Sequence, residues 1–409
     1  MARFKRLGHG VVHEQRAGEH QSPHATKEVG NVVTRTLRPP LISSKLLLAV
    51  VVGLALLAGG LGSYILFASY KPPVPEPRVK VGFMMASTGG SASMGIGAIK
   101  GVQLAKEQLK MEVDIVEFDS MCDPKVAVEA YKQLIEQNVI AVIGDGCSSA
   151  SLAALTEANT SKIPMISPAS SSPKLSIPND YFFRVIPSDN MQGRFLAQAI
   201  KEQGYNNVAV FFTNEPYGSS ISQVFTSIFK SQGGNVVSTV YADSGTIEVH
   251  RQVDEMLASH PDAIVLLPNS ATSATAVVSL ASRAGYRGAY FGSDAAYDTS
   301  AIKDTAGAAE GMQITTFPIG DKDFREALRS RFGTSELSYA AAQSYDAMLA
   351  IHAAIDRGAK TGEEVASLLP TIEFQGVSAY IKFDSNGEIS DPSYKYDLLK
   401  VKDGVFQAE

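Results

Sequence analysis

The segment Leu46–Phe67 (LLLAVVVGLALLAGGLGSYILF) runs for 22 positions without a charged residue, and it divides the chain into parts that meet different solvents. As a helix rising about 1.5 Å per residue it reaches roughly 33 Å, enough to cross the hydrocarbon core of a bilayer. Residues 1–45 hold eight Lys/Arg against three Glu, a net +5 in a chain whose formal net charge is −6. Arg35, Arg38 and Lys45 crowd the N-terminal side of the run, so the positive-inside rule puts the tail in the cytoplasm and everything after Tyr70 outside. A cleaved signal peptide with a secreted domain is the competing reading, but a secretory leader is usually complete within about 15–30 residues. Neither cysteine lies near the end of the run, which excludes lipid attachment there. The tail carries His9, His13, His20 and His24 at spacings that fit no metal cage, so residues 1–45 are expected to be a disordered basic tail. Residues 68–78, with KPPVPEP at Lys71–Pro77, read as a stiff proline-rich linker.

From Val79 onward, short apolar runs alternate with helical patterns, the signature of a parallel sheet with helices on both faces. The expected strands are Val79–Met85, Val113–Phe118, Val139–Ile143 and Pro164–Ile166, and then Asn207–Phe212, Asn235–Tyr241, Ala263–Leu267, Ala289–Phe291 and Met312–Thr316. Two successive α/β units with a joint near Ile186–Asn190 predict two lobes, residues 79–187 with 318–371 and residues 188–317 with 372–409. Tyr380–Val401 reads as antiparallel, turning at Asp384–Gly387 (DSNG). That turn lacks the later ligands of a calcium loop.

Chemistry concentrates at the ends of these strands, where open α/β sheets bind their ligands. Cys122 in DSMCDPK and Cys147 in GDGCSS are the only cysteines, and each follows a predicted strand, on what read as neighbouring parallel strands. Outside the membrane a disulfide between them is expected. The alternative, a free nucleophilic cysteine, needs a histidine partner, and His250, His260 and His352 all fall on or beside helices. Loops rich in hydroxyls and glycine recur at Ser87–Gly90, Ser148–Ser149, Ser167–Ser172 and Asn269–Ser273. Some precede helices, whose free N–H groups favour an anion such as a carboxylate. Tyr217 and Asp294 occupy similar loops in the second half, and a carboxylate there suits a ligand ammonium. Catalytic motifs are missing: there is no G-x-S-x-G, H-E-x-x-H or P-loop, and Gly95-Ile96-Gly97 has Lys100 where a dinucleotide fingerprint needs glycine. The acidic balance and the lack of a basic stripe argue against a nucleic-acid partner, and no cofactor is implied.

From Arg78 to Val405 the chain resembles the type I periplasmic solute-binding proteins of ABC transporters, in particular the branched-chain amino acid (Leu/Ile/Val) binding group. The resemblance rests on FDSMCDPKVAVEAYKQLIEQNVIAVIGDGCSSAS, IPMISPASSSPKL, YFFRVIPSDNMQG, the Tyr217-Gly218 step and FGSDAAY, in that order. It implies two Rossmann-like lobes joined by three crossovers, closing on a ligand, and no enzymatic activity. Carried over by position, it implies that Ser148, Ser171 and the backbone of Ala169 meet a ligand's α-carboxylate and ammonium. Tyr217 and Asp294 close from the second lobe, with Asp294 pairing the ammonium. Where the amino acid binders set aromatic residues against the ligand side chain, this chain has Met94 and Ser270, so the ligand pocket differs. The implied partners are an amino acid or related small solute and an ABC permease. The alternative is a sensing ectodomain that signals through a partner membrane protein.

Overall fold

The computed structural model describes residues 43–70, 78–333, 340–389, 391 and 393–408. The expected basic tail and the proline linker lie almost wholly outside these residues. Two compact units are resolved, residues 1–75 and 76–409. In the first, a helix spans Ser44–Ser69, opened by the Ser43 side chain, which accepts from the Leu46 N–H. Of this helix, Ser44–Ile65 is long and apolar enough to cross a membrane. It ends before Pro72, which cannot continue a helix.

The second unit is built on two sheets. The first carries β1 (Val79–Met85), β2 (Val113–Asp119), β3 (Ala141–Gly144), β4 (Met165–Ser167) and β5 (Phe182–Arg184), in the order β2-β1-β3-β4-β5. All its pairs are parallel. The second carries β6 (Asn207–Thr213), β7 (Asn235–Ala242), β8 (Ala263–Leu267), β9 (Ala289–Gly292) and β10 (Gln313–Thr316). A small separate sheet pairs β11 (Glu373–Gln375) with β12 (Tyr380–Lys382), and β13 (Asp397–Lys402) and β14 (Val405–Ala408) complete the second sheet as β14-β13-β10-β9-β8-β6-β7. The central strands read as unbroken apolar runs because helices cover both faces; every residue of Ala141–Gly144 and of Ala263–Leu267 is buried.

The chain passes between the two cores three times. After β5 the helix Asp189–Glu202 places Leu196 and Ile200 in the second core, and after β10 the helix Lys322–Phe332 returns Phe324 and Leu328 to the first. The last passage lies between Ile389 and Asp397. Ile372, Ile381, Phe383 and Ile389 all pack in the first core, so the sequence-based boundary at 371/372 falls short. For the same reason Tyr380–Val401 is not one hairpin: β12 pairs antiparallel with β11, whereas β13 pairs antiparallel with β10. The DSNG segment does form a tight antiparallel turn, bridging Phe383 to Ile389, and it docks on the edge of the first sheet, where Arg184 N donates to Gly387 O at 2.8 Å. Gly387 has φ +69°, and a Cβ there would lie 2.1 Å from the Phe182 carbonyl, so only glycine fits.

The disulfide Cys122–Cys147 is present, with Cα atoms 5.5 Å apart. Its geometry differs from expectation in one respect. Strands β2 and β3 are not neighbours but flank β1, so the bridge spans the carboxyl end of β1. Closing a loop of 25 residues, it should stabilise the fold by about 3 kcal/mol in the chain-entropy model. Cys122→Ser/Cys147→Ser is expected to lower unfolding free energy in urea by about that amount; an unchanged midpoint would show that the bridge does not constrain the chain.

Candidate functional site

At the carboxyl end of the first sheet, four loops are laced into one wall. The Asp119 carboxylate, at the end of β2, accepts from Ser87 N (2.9 Å) and Thr88 Oγ1 (2.6 Å) in the loop after β1. The disulfide joins the loops after β2 and β3. Next to it the buried Asp145 accepts from Cys147 N through Oδ1 (2.7 Å), while its backbone carbonyl accepts the hydroxyls of Ser167 (2.6 Å), Ser170 (2.8 Å) and Ser151 (3.3 Å). Arg184, fully buried at the end of β5, donates to the carbonyls of Ser170 (3.2 Å) and Ser172 (3.1 Å) and pairs with Glu388. The wall therefore presents two features to the cleft: the N-terminus of helix Ser148–Ser161, which no side chain caps, and Ala169 at the start of the serine loop. Uncapped N–H groups at a helix start carry partial positive charge and point at any anion placed there.

The opposite wall comes from the second sheet. After β6, Glu215 caps helix Pro216–Ser231, its carboxylate accepting from Gly218 N (2.6 Å), Tyr217 N (2.8 Å) and Thr213 Oγ1 (3.2 Å). The Tyr217 hydroxyl donates to Asp294 Oδ1 (2.9 Å) and lies 2.7 Å from Ser293 Oγ, whose own proton it can accept, in the loop after β9. Ser270 caps the helix after β8, with Oγ accepting from Ser273 N at 3.4 Å. This wall is acidic.

The walls touch at their rims, through Ser91 Oγ to Asn269 O (3.4 Å) and Ser172 Oγ to Pro216 O (3.2 Å). Between them is a cleft with about 510 Å³ of empty space, part of it open to solvent. Met94, Ser148, Ala169, Tyr217, Ser270 and Asp294 all line it, so six of the seven residues singled out from the sequence converge on one cavity. Ser171 does not. It is fully buried behind the wall, and its hydroxyl lies by the Asp189 carboxyl instead. Ser148 Oγ already accepts from Ser172 N (3.1 Å), which leaves its proton free for the cleft. Met94 packs flat over Gly146, where a Cβ would approach its Sδ and Cε to 2.5 Å.

Sequence reasoning missed Glu215, Asp189, Asp145 and Arg184. Glu215 looks like an ordinary cap until the fold turns it into the cleft, and nothing in a local pattern marks an arginine that becomes fully buried. Among the described residues no group of three or more His, Cys, Asp and Glu could hold a metal ion.

A family model described as periplasmic binding protein matches residues 78–404. A leucine-, isoleucine-, valine-, threonine- and alanine-binding protein of Pseudomonas aeruginosa is 23% identical over 352 residues, covering 80% of this chain and 90% of that one. The chemotactic signal transduction system substrate-binding protein BasB of Halobacterium salinarum is 24% identical over 67% of each chain. Among solved structures, a leucine-binding protein from Thermotoga maritima superposes with a TM-score of 0.74 at 29% identity, covering 81% of this chain and 97% of that one.

Burial leaves its mark on several carboxyls of the wall and its supports. The Asp145 carboxyl is pushed up to about 6 by burial, against hydrogen bonds from Ser120 and the Cys147 and Gly146 backbone. Asp346, which holds the turn before β12 by accepting from Val377 N and Ser378 N, is also raised to about 6 by burial. A carboxyl whose folded-state pKa is raised holds its proton where the unfolded chain has lost it. Stability is therefore highest below about pH 4 for these groups and falls as pH rises through about 6. Thermal melts are expected to give a higher Tm at pH 5 than at pH 7.5, with a smaller difference in Asp145→Asn. A Tm that rises with pH across this window would contradict the assignment.

Proposed function

Because the chain belongs to the periplasmic binding protein family, we propose that it is a membrane-anchored, extracytoplasmic solute receptor that closes its two lobes on an α-amino acid and passes it to an ABC permease. It is a binding protein rather than an enzyme. One observation carries the amino acid reading: an uncapped helix N-terminus faces a hydrogen-bonded carboxylate across a single cleft. The first feature suits a ligand carboxylate and the second a ligand ammonium, and a zwitterion held between lobes needs both charges met. In this reading the Ser148 hydroxyl and the start of its helix take the carboxylate, with the Ala169 backbone beside them. Ser171 positions the loop from behind. Asp294, oriented by Tyr217, takes the ammonium, and Met94 and Ser270 face the ligand side chain. The helix Ser44–Ser69 anchors the receptor with its basic tail in the cytoplasm. The relative named for a chemotactic system supports a second reading, in which the closed receptor contacts a signalling membrane protein instead.

Titration calorimetry of residues 76–409, a compact unit by itself, is expected to show saturable binding of at least one α-amino acid. Asp294→Ala should weaken it by about 100-fold or more, since truncating one partner of a buried charge pair costs about 2–5 kcal/mol. No binding by any α-amino acid would reject the ligand class. Uptake of the labelled ligand by cells lacking the protein separates the two roles: lost uptake supports delivery to a permease, and normal uptake with a lost behavioural response supports sensing.

A further inference from the structure

The charge inside the cleft does not balance for a neutral amino acid. Its lining includes two carboxylates, Glu215 and Asp294, and no Lys, Arg or His among the described residues. A third carboxyl, Asp189, is fully buried next to both, and neither of its oxygens has a hydrogen-bond partner of good geometry. The nearby cations do not enter the cleft. Arg184 is engaged by Glu388 and by the Ser170 and Ser172 carbonyls, and Lys174 acts on Glu215 from an exposed position. A zwitterion brings one positive charge, which Asp294 takes, and one negative charge, which falls to the helix N-terminus. Glu215 is left over.

The bland account of Glu215 is that it only caps its helix, and it does accept two backbone N–H groups. A cap, however, needs no cleft-lining carboxylate; the neutral side chains of serine, threonine or asparagine cap a helix as well and with no charge to bury. Its carboxylate is also linked by a hydrogen-bonded hydroxyl to the loop that carries Ser270. Oε1 accepts from Thr213 Oγ1, and that same hydroxyl accepts from Asn269 N (2.9 Å), next to Ser270 on the wall that faces Met94. Closing the lobes over two carboxylates and a neutral side chain leaves charge without a counter-ion in a poorly hydrated space, which is costly.

We infer that the cleft selects an α-amino acid with a cationic side chain, whose ammonium or guanidinium meets Glu215 while its α-ammonium meets Asp294. This rests on the amino acid reading above and narrows it. The deciding comparison is lysine against norleucine, which share a backbone and the first four side-chain carbons and differ by the terminal charged group. With the full chain in detergent, calorimetry is expected to show lysine binding at least about tenfold more tightly than norleucine. Glu215→Gln is expected to bring that ratio close to one. Norleucine binding as tightly as lysine overturns the inference and leaves the receptor reading intact. A ratio unchanged in Glu215→Gln overturns the role of Glu215, and the failure of every α-amino acid to bind overturns both readings.

Discussion

The buried guanidinium of Arg184 ties together the parts of this binding-protein fold that must stay in register. It sits at the last residue of β5, where the chain is about to leave the first lobe, and has no exposed surface. From there it reaches forward to the carbonyls of the Ser170–Ser172 loop and sideways to Glu388 in the turn that precedes the third crossover. One side chain thus connects the loop that backs the cleft, the first crossover and the third. Removing a single partner of a buried ion pair typically costs about 3–5 kcal/mol because the other charge is left stranded. Here the loss would also release the loop that backs the cleft.

With the wall fixed in this way, the two sides of the cleft acquire opposite character for different reasons. The first side puts no charged side chain into the cleft; its attraction for an anion comes from backbone N–H groups at an uncapped helix start and from the Ser148 hydroxyl, which already accepts from Ser172 N. On the second side the attraction for cations is formal, from Asp294 and Glu215, each held by donors so that it points inward. A ligand with both charges bridges the two. The rims themselves meet through hydroxyl contacts such as Ser91 with Asn269 and Ser172 with Pro216.

Much of the fold was legible because buried parallel strands write themselves as continuous apolar runs, and β1 and β8 begin and end where the pattern said. What stayed hidden were elements whose partners are distant in sequence. Strand β5 is three residues long and ends in an arginine, and the helix Asp189–Glu202 opens with polar residues, so neither has a strong local signature. The position of β1 between β2 and β3 follows from pairing that no local pattern records, which is why the cysteine strands read as adjacent. At the site, Asp294 was found in its loop after a strand, whereas Glu215 and Asp145, also directly after strands, were passed over because each reads locally as a cap or turn former. A sequence shows where an Asp or Glu stands; only packing decides whether it caps a helix, faces a ligand or does both, as Glu215 does.

The account rests on one claim, that the cleft reads both ends of a zwitterion at once. The direct measurement is calorimetric affinity for the tightest-binding amino acid beside two trimmed analogues, one without the α-amino group and one without the α-carboxylate. Both analogues are predicted to bind at least about 100-fold more weakly, because each strands a buried charged or polar partner. An analogue lacking either group that binds as tightly as the amino acid would contradict the account.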